Sequence, residues 1–168
     1  MSHCVYDVAT LQAAIAEETE RWRPCVFTNG CFDLLHVGHL RYLQAAKALG
    51  KTLIVGINSD RSVQAIKPQK TKQPPRPIIP QNQRAELVAA LKPVDAAVIF
   101  QETTASHLIR QLQPDIYVKG GDYHVETLPE AASVQAYGGR IALIPIEIST
   151  STTTIVNRIL NLVEGIYE

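Results

Sequence analysis

The sequence has no excess of charge of either sign: sixteen lysines and arginines stand against sixteen aspartates and glutamates in 168 residues. A balanced chain supplies no long-range field for nucleic acid or for an anionic lipid surface, so any anion site has to be local. Nowhere do apolar residues run to the roughly 18 that a membrane span needs. The opening residues, Met1 to Thr10, carry His3 and Asp7 and lack the basic stretch and apolar run of a secretory leader. Cysteine is scarce. Cys4, Cys25 and Cys31 form an odd set with neither metal-ligand nor redox spacing. We therefore expect reduced thiols in a cytoplasmic protein with neither nucleic acid nor membrane as partner. No internal repeat is present.

What remains is an ordinary globular mixture, 46% apolar and 19% charged, of a length that suits one domain. From Cys25 onward, short apolar runs alternate with amphipathic stretches, the pattern of a parallel sheet covered by helices. The spacing predicts strands at Cys25–Thr28, Thr52–Ile57, Ala96–Phe100, Ile116–Val118 and Ile141–Ile144, each flanked by turn formers such as Asn29-Gly30 and Gly138-Gly139. Apolar throughout, such strands are expected to be buried on both faces. The fold class is α/β, a three-layer α/β/α domain around a five-stranded, mainly parallel sheet.

Helices are predicted where apolar residues recur at helical spacing. Leu40, Leu43, Ala46 and Leu49 form one, closed by Gly50. Pro80 opens another, with Ala85, Val88, Ala89 and Leu91 on one face. Leu108, Ile109 and Leu112 follow Thr103, and Ile155, Ile159 and Leu162 line a last helix. Val8, Leu11, Ala14 and Ile15 predict an N-terminal helical extension over residues 1–23, ahead of the main domain at 24–168. Lys67 to Pro80, with five prolines and three further basic residues, reads as a loop within that domain.

Chemistry first shows at Val26-Phe27-Thr28-Asn29-Gly30-Cys31-Phe32-Asp33-Leu34-Leu35-His36-Val37-Gly38-His39, which runs from the first of these strands into the first long helix. Unpaired N–H groups at such a turn, together with the helix dipole, favour an anion. His36 and His39, three apart, place both rings on one side of the first turn. Gly38 removes a side chain where a base or ribose must approach the backbone. When a phosphate oxygen attacks the α-phosphorus of a nucleoside triphosphate, charge develops on its oxygens and on the departing pyrophosphate, and fixed N–H donors there lower the barrier. Imidazoles serve best when protonated or when donating through a set tautomer. The bland alternative is that His36 caps the turn and His39 packs as a surface polar residue.

Three further features invite weighing. Ser151-Thr152-Thr153-Thr154 opens the last helix, where hydroxyls and free N–H groups bind phosphate or where one serine simply caps. Val118-Lys119-Gly120-Gly121-Asp122-Tyr123 follows a strand end, either as a ligand turn or as a tight turn with a surface lysine. Asn29 and Asp33 are explained by an Asx-turn, or by contact with a sugar hydroxyl or a magnesium shell. Cys31 contributes its backbone N–H; the chemistry needs no thiol nucleophile.

The pairing of Gly30-Cys31-Phe32-Asp33 with His36-Val37-Gly38-His39 resembles the cytidylyltransferase-like nucleotidyltransferase superfamily, over about Pro24 to Leu160. Within it the chain is most similar to the bacterial D-glycero-β-D-manno-heptose 1-phosphate adenylyltransferases. That resemblance implies a Rossmann-like nucleotidylyltransferase fold and an ATP-dependent, pyrophosphate-releasing adenylyltransferase that makes ADP-heptose for lipopolysaccharide precursors, with Mg²⁺ bound alongside ATP. It implies His36, His39 and Lys67 as catalytic residues, with Lys70 and Lys72 as alternatives to Lys67. Gly30, Cys31, Phe32, Gly38, Lys119, Gly120, Ser151, Thr152 and Thr153 would hold the nucleotide, and Asn29, Asp33, Arg76 and Asp122 the second substrate, a sugar 1-phosphate. Arg84 reads first as a structural helix residue. A homodimer is implied, as is a separate upstream sugar kinase. Glycerol-3-phosphate cytidylyltransferases carry a more acidic version of Lys-Gly-Gly-Asp-Tyr and an arginine before the hydroxyl motif, where this chain has Ile146 or Glu147. A small alcohol-phosphate or flavin nucleotidylyltransferase and a nucleotide-binding regulator are the rival readings. A class I aminoacyl-tRNA synthetase shares the histidine pair, but the chain lacks the length for a tRNA-binding body.

Overall fold

The computed structural model describes residues 4–67, 69, 74–121, 124–145, 148 and 150–164. Its strands are β1 (Val5–Tyr6), β2 (Cys25–Gly30), β3 (Thr52–Asn58), β4 (Ala96–Phe100), β5 (Ile116–Gly120) and β6 (Arg140–Ile144). All pair in parallel, in the order β1-β4-β3-β2-β5-β6. The expected Rossmann-like architecture is present, but the sheet has six strands rather than five and is parallel throughout. The sixth, β1, is two residues long and escapes any periodicity argument; it docks on β4 through Val5 opposite Ala97 and Tyr6 opposite Val98.

Helices cover both faces: α1 (Val8–Glu17), α2 (Thr19–Trp22), α3 (Val37–Lys47), α4 (Asp60–Ile66), α5 (Gln81–Ala89), α6 (Ser106–Leu112), α7 (Ala131–Gln135) and α8 (Thr152–Glu164). Successive strand residues point to opposite faces, so neighbours such as Val26 and Phe27 feed different cores. Phe27, Ile54, Val98 and Tyr117 join side chains from α1, α6 and α7 on one face. Val26, Val55, Ala97 and Val118 join those from α3 and α5 on the other. Leu11, Ile15 and Trp22, from the segment read as an extension, are buried in the first of these cores.

Local signals start these helices. The Asp7 carboxylate accepts the Thr10 N–H at 2.9 Å, and Ser59 Oγ accepts the Ser62 N–H at 3.2 Å. Pro80 precedes α5 as expected. Two expectations fail at the sheet margin. Every residue of β3 is buried, but β6 is only half-covered because it lies at the sheet edge. In α8 the buried stripe runs through Thr152 and Val156, while Ile159 and Leu162, predicted to line the helix, are 52% and 63% exposed. No helix among the described residues is long and apolar enough to cross a membrane.

The strand order carries the functional consequence. From β2 the chain steps outward through β3 and β4, then returns to the far side of β2 with β5 and β6. The order therefore reverses between β2 and β5. In open parallel sheets a crevice opens at that place, beyond the carboxyl ends of the strands.

Candidate active site

A cavity of about 570 Å³ occupies that crevice, of a size that admits a nucleotide. Asn29 and Gly30 come to it from β2, Lys119 and Gly120 from β5, and Thr150 to Thr153 from the start of α8. All the predicted site residues within the described segments line it. Asp122, Lys70 and Lys72 lie outside those segments.

The histidine pair forms one wall. His36 stands at the N-cap of α3 in extended conformation, and its side chain makes no capping bond, contrary to the bland alternative. Its ring stacks on that of His39 with centroids 3.9 Å apart and planes 26° from parallel. Neither Nδ1 has a hydrogen-bond partner among the described residues. Phe32, held at φ 45°, backs His39 with ring centroids 5.3 Å apart. Burial lowers the pKa of both imidazoles, and at His39, where His36 adds its own charge, to about 4. Both rings are thus neutral at pH 7 in the free protein. Of the two expected donor states, this environment favours the neutral ring. Two half-buried imidazoles whose Nδ1 atoms have no partner among the described residues are poised to bind something.

Gly38 serves this wall differently from expectation. A Cβ on it would sit 3.0 Å from His36 Nδ1, so the missing side chain makes room for the imidazole rather than for a nucleotide. Gly120 behaves likewise: a Cβ there would lie 2.7 Å from the Tyr42 ring. The Tyr42 hydroxyl donates to the Val118 carbonyl at 3.1 Å and is 2.6 Å from Thr28 Oγ1, tying α3 to β2 and β5.

The opposing hydroxyls divide their labour. Ser151 Oγ accepts the Thr154 N–H at 3.1 Å and lies 2.9 Å from Thr154 Oγ1, so Ser151 is the helix cap. Thr152 and Thr153, the first two residues of α8, have N–H groups with no partner inside the helix. On the floor, Asn29 Oδ1 accepts the Tyr117 hydroxyl at 2.9 Å and the Lys119 ammonium at 3.4 Å. Burial pulls the Lys119 pKa below its ordinary value. Lys67 ends α4 at the cavity mouth with an exposed side chain.

Asp33 departs from expectation. Asp33 is 1% exposed, and its oxygens accept the Ile78 N–H at 2.9 and 3.0 Å, the Ile79 N–H at 2.9 Å and the Arg76 Nε. Its acceptors are consumed by the C-terminal part of the proline-rich loop, to which Arg76 belongs and where it pairs through Nε. Predicted as a sugar or magnesium-shell contact, Asp33 instead staples that part of the loop to the β2–α3 turn. Arg84 is structural as expected. Fully buried, it donates to the carbonyls of Cys31, Asn58 and Ile79 and pairs with Asp60 at 2.7 Å. Burial raises the pKa of the Cys31 thiol, which disfavours the thiolate.

Sequence reasoning missed two cavity residues of consequence. Tyr42 had a signal, because His39, Tyr42 and Ala45 recur at three-residue spacing along one side of α3. Glu130 had none; it reaches the cavity from a loop before α7. Among the described residues no three His, Cys, Asp or Glu side chains cluster as a metal site.

Residues 27–158 match the sequence model of the Cytidylyltransferase-like family. A D-beta-D-heptose 1-phosphate adenylyltransferase from Bordetella bronchiseptica is 48% identical over 137 residues, 82% of each chain. The bifunctional protein HldE of Syntrophotalea carbinolica is 47% identical over 155 residues, 92% of this chain but 31% of its own. The chain thus spans about a third of the bifunctional relatives it matches. Among solved structures, a lipopolysaccharide core biosynthesis protein from Thermoplasma volcanium superposes with a TM-score of 0.58 at 29% identity, over 74% of this chain and 97% of that one. A pantothenate synthetase from Thermus thermophilus shares the fold alone, with a TM-score of 0.54 at 15% identity over 84% of this chain and 61% of that one.

Proposed function

The chain belongs to the cytidylyltransferase-like family, and on that premise we propose that it transfers the adenylyl group of ATP to D-glycero-β-D-manno-heptose 1-phosphate, giving ADP-heptose and pyrophosphate. The observation that carries this reading is the stacked, half-buried His36–His39 pair, whose Nδ1 atoms have no partner among the described residues, in one cavity with the open N-terminus of α8.

An oxygen of the sugar phosphate attacks the α-phosphorus in line. A P–O bond forms to that oxygen as the bond to the β-phosphate breaks, and the electron pair leaves with pyrophosphate. No side chain is acylated or phosphorylated. His36 and His39 donate N–H hydrogen bonds to oxygens whose charge grows in the transition state. Thr152 and Thr153 hold phosphate oxygens through hydroxyls and free backbone N–H groups. Lys67, a point charge on a flexible stem, follows charge onto the leaving group. Lys119 and Gly120 border the nucleoside. Mg²⁺, arriving with ATP, would offset the charge of the triphosphate.

A kinase reaction has to supply the sugar 1-phosphate, and we place the protein in the cytoplasm, as a dimer. Pyrophosphate release with ATP and CTP against a panel of sugar, glycerol and flavin phosphates tests the assignment. Turnover is expected with ATP and the heptose phosphate. Preference for CTP, or for glycerol 3-phosphate, would overturn it.

A further inference from the structure

Glu130 is a buried carboxylate that the reaction above leaves unused. It is 2% exposed, yet it lines the cavity. Its Oε1 accepts the Ala105 N–H at 3.2 Å, which ties the loop before α7 to the start of α6. Ser106 Oγ, donating to the Pro129 carbonyl at 3.3 Å, makes a second tie between the same two segments. The other oxygen, Oε2, is buried and has no hydrogen-bond partner among the described residues. A buried acceptor left bare in an otherwise well-paired fold calls for an explanation.

Its surroundings suggest one. Thr103 and Thr104 line the same part of the wall, which belongs to the α6–α7 face of the sheet, whereas the histidines belong to the α3 face. Lys119 is near enough for Glu130 to hold its pKa up against burial. A carboxylate repels phosphate, so this wall is unsuited to the triphosphate. It suits neutral hydroxyl donors: a carboxylate oxygen takes a short, strong O–H bond, and two adjacent hydroxyls can share one carboxylate. Thr103 and Thr104 add hydroxyls that donate or accept.

We propose that Glu130 binds a vicinal diol of a bound substrate through Oε2. Resting on the adenylyl-transfer reading, the proposal has two sources for that diol: the ribose of ATP and the hydroxyls of the sugar phosphate.

The test is Glu130→Gln, which keeps an oxygen for the Ala105 N–H and removes the charged acceptor. Pyrophosphate release is compared for wild type and variant with ATP, 2′-deoxy-ATP and 3′-deoxy-ATP, and with the sugar phosphate and its singly deoxygenated analogues. KM for the diol-bearing substrate is expected to rise about tenfold or more, with kcat changed less than threefold and a melting temperature equal to or above wild type. The penalty that wild type shows for a deoxy-substrate should vanish in the variant. If it vanishes for deoxy-ATP, the ribose is the source; if for a deoxy-sugar, the acceptor is. A variant with unchanged KM for both substrates, or with both penalties intact, overturns the proposal while wild-type turnover keeps adenylyl transfer standing. Wild type without turnover sinks adenylyl transfer. Calorimetry of ATP against 2′- and 3′-deoxy-ATP on both proteins then still decides whether Glu130 reads a diol, equal differences counting against it.

Discussion

Two pairs of side chains three and forty-three positions apart, His36 with His39 and Asp33 with Arg76, border one cavity and lead opposite lives. Both look like ligand contacts on paper. The carboxylate of Asp33 is saturated by two backbone N–H groups and a guanidinium, whereas the Nδ1 atoms of the imidazoles have no partner among the described residues. What separates a holding group from a working one is therefore spare hydrogen-bonding capacity, not residue type or nearness to the crevice.

That contrast can be broken at either end. The largest effect is expected from His36→Ala, which removes a transition-state donor: pyrophosphate release should fall roughly 10²–10³-fold, with the melting curve hardly moved. An unchanged rate would end the catalytic assignment. Asp33→Ala should invert the pattern, lowering unfolding free energy in urea by about 3 kcal/mol because Arg76 and two N–H groups lose their acceptor. Once folded, the variant should keep most of its kcat.

A pH series sharpens the comparison further. His39 has its pKa lowered to about 4 from 6.5, chiefly by burial. Between those values the unfolded chain binds the proton and the folded one does not, so stability rises with pH across the window and is lost as pH falls from 6.5 towards 4. Allowing for solvent screening of a partly exposed ring, the loss is about 2 kcal/mol. Urea titrations of wild type and His39→Gln should show the variant's slope flatter by that amount. The smallest effect belongs to Ser151→Ala: loss of the cap should cost about 1 kcal/mol, seen as faster amide exchange in the first turn of α8.

The central strands and the histidine turn were legible because each follows from a local rule: apolar runs between turn formers, and two rings three residues apart on a helix start. What escaped was set by distance along the chain. Asp33 meets Ile78 and Ile79 across 45 and 46 residues, and nothing near Asp33 announces that its acceptors are taken. Val5–Tyr6 is a strand because β4 offers an open edge, not because of its own pattern. Ile159 and Leu162 obey helical spacing yet face outward, since the packed stripe of α8 passes through Thr152 and Val156. The missing side chains of Gly38 and Gly120 make room for His36 and Tyr42, contacts that no local pattern announces.

A side chain that must remain bare for substrate cannot also anchor itself, so the anchoring has to be delegated. One turn beyond His39, the Tyr42 phenol grips Thr28 and the Val118 carbonyl on adjoining strands. The helix is thereby pinned at a fixed depth over the sheet, and the imidazoles inherit their position while their Nδ1 atoms stay uncommitted among the described residues.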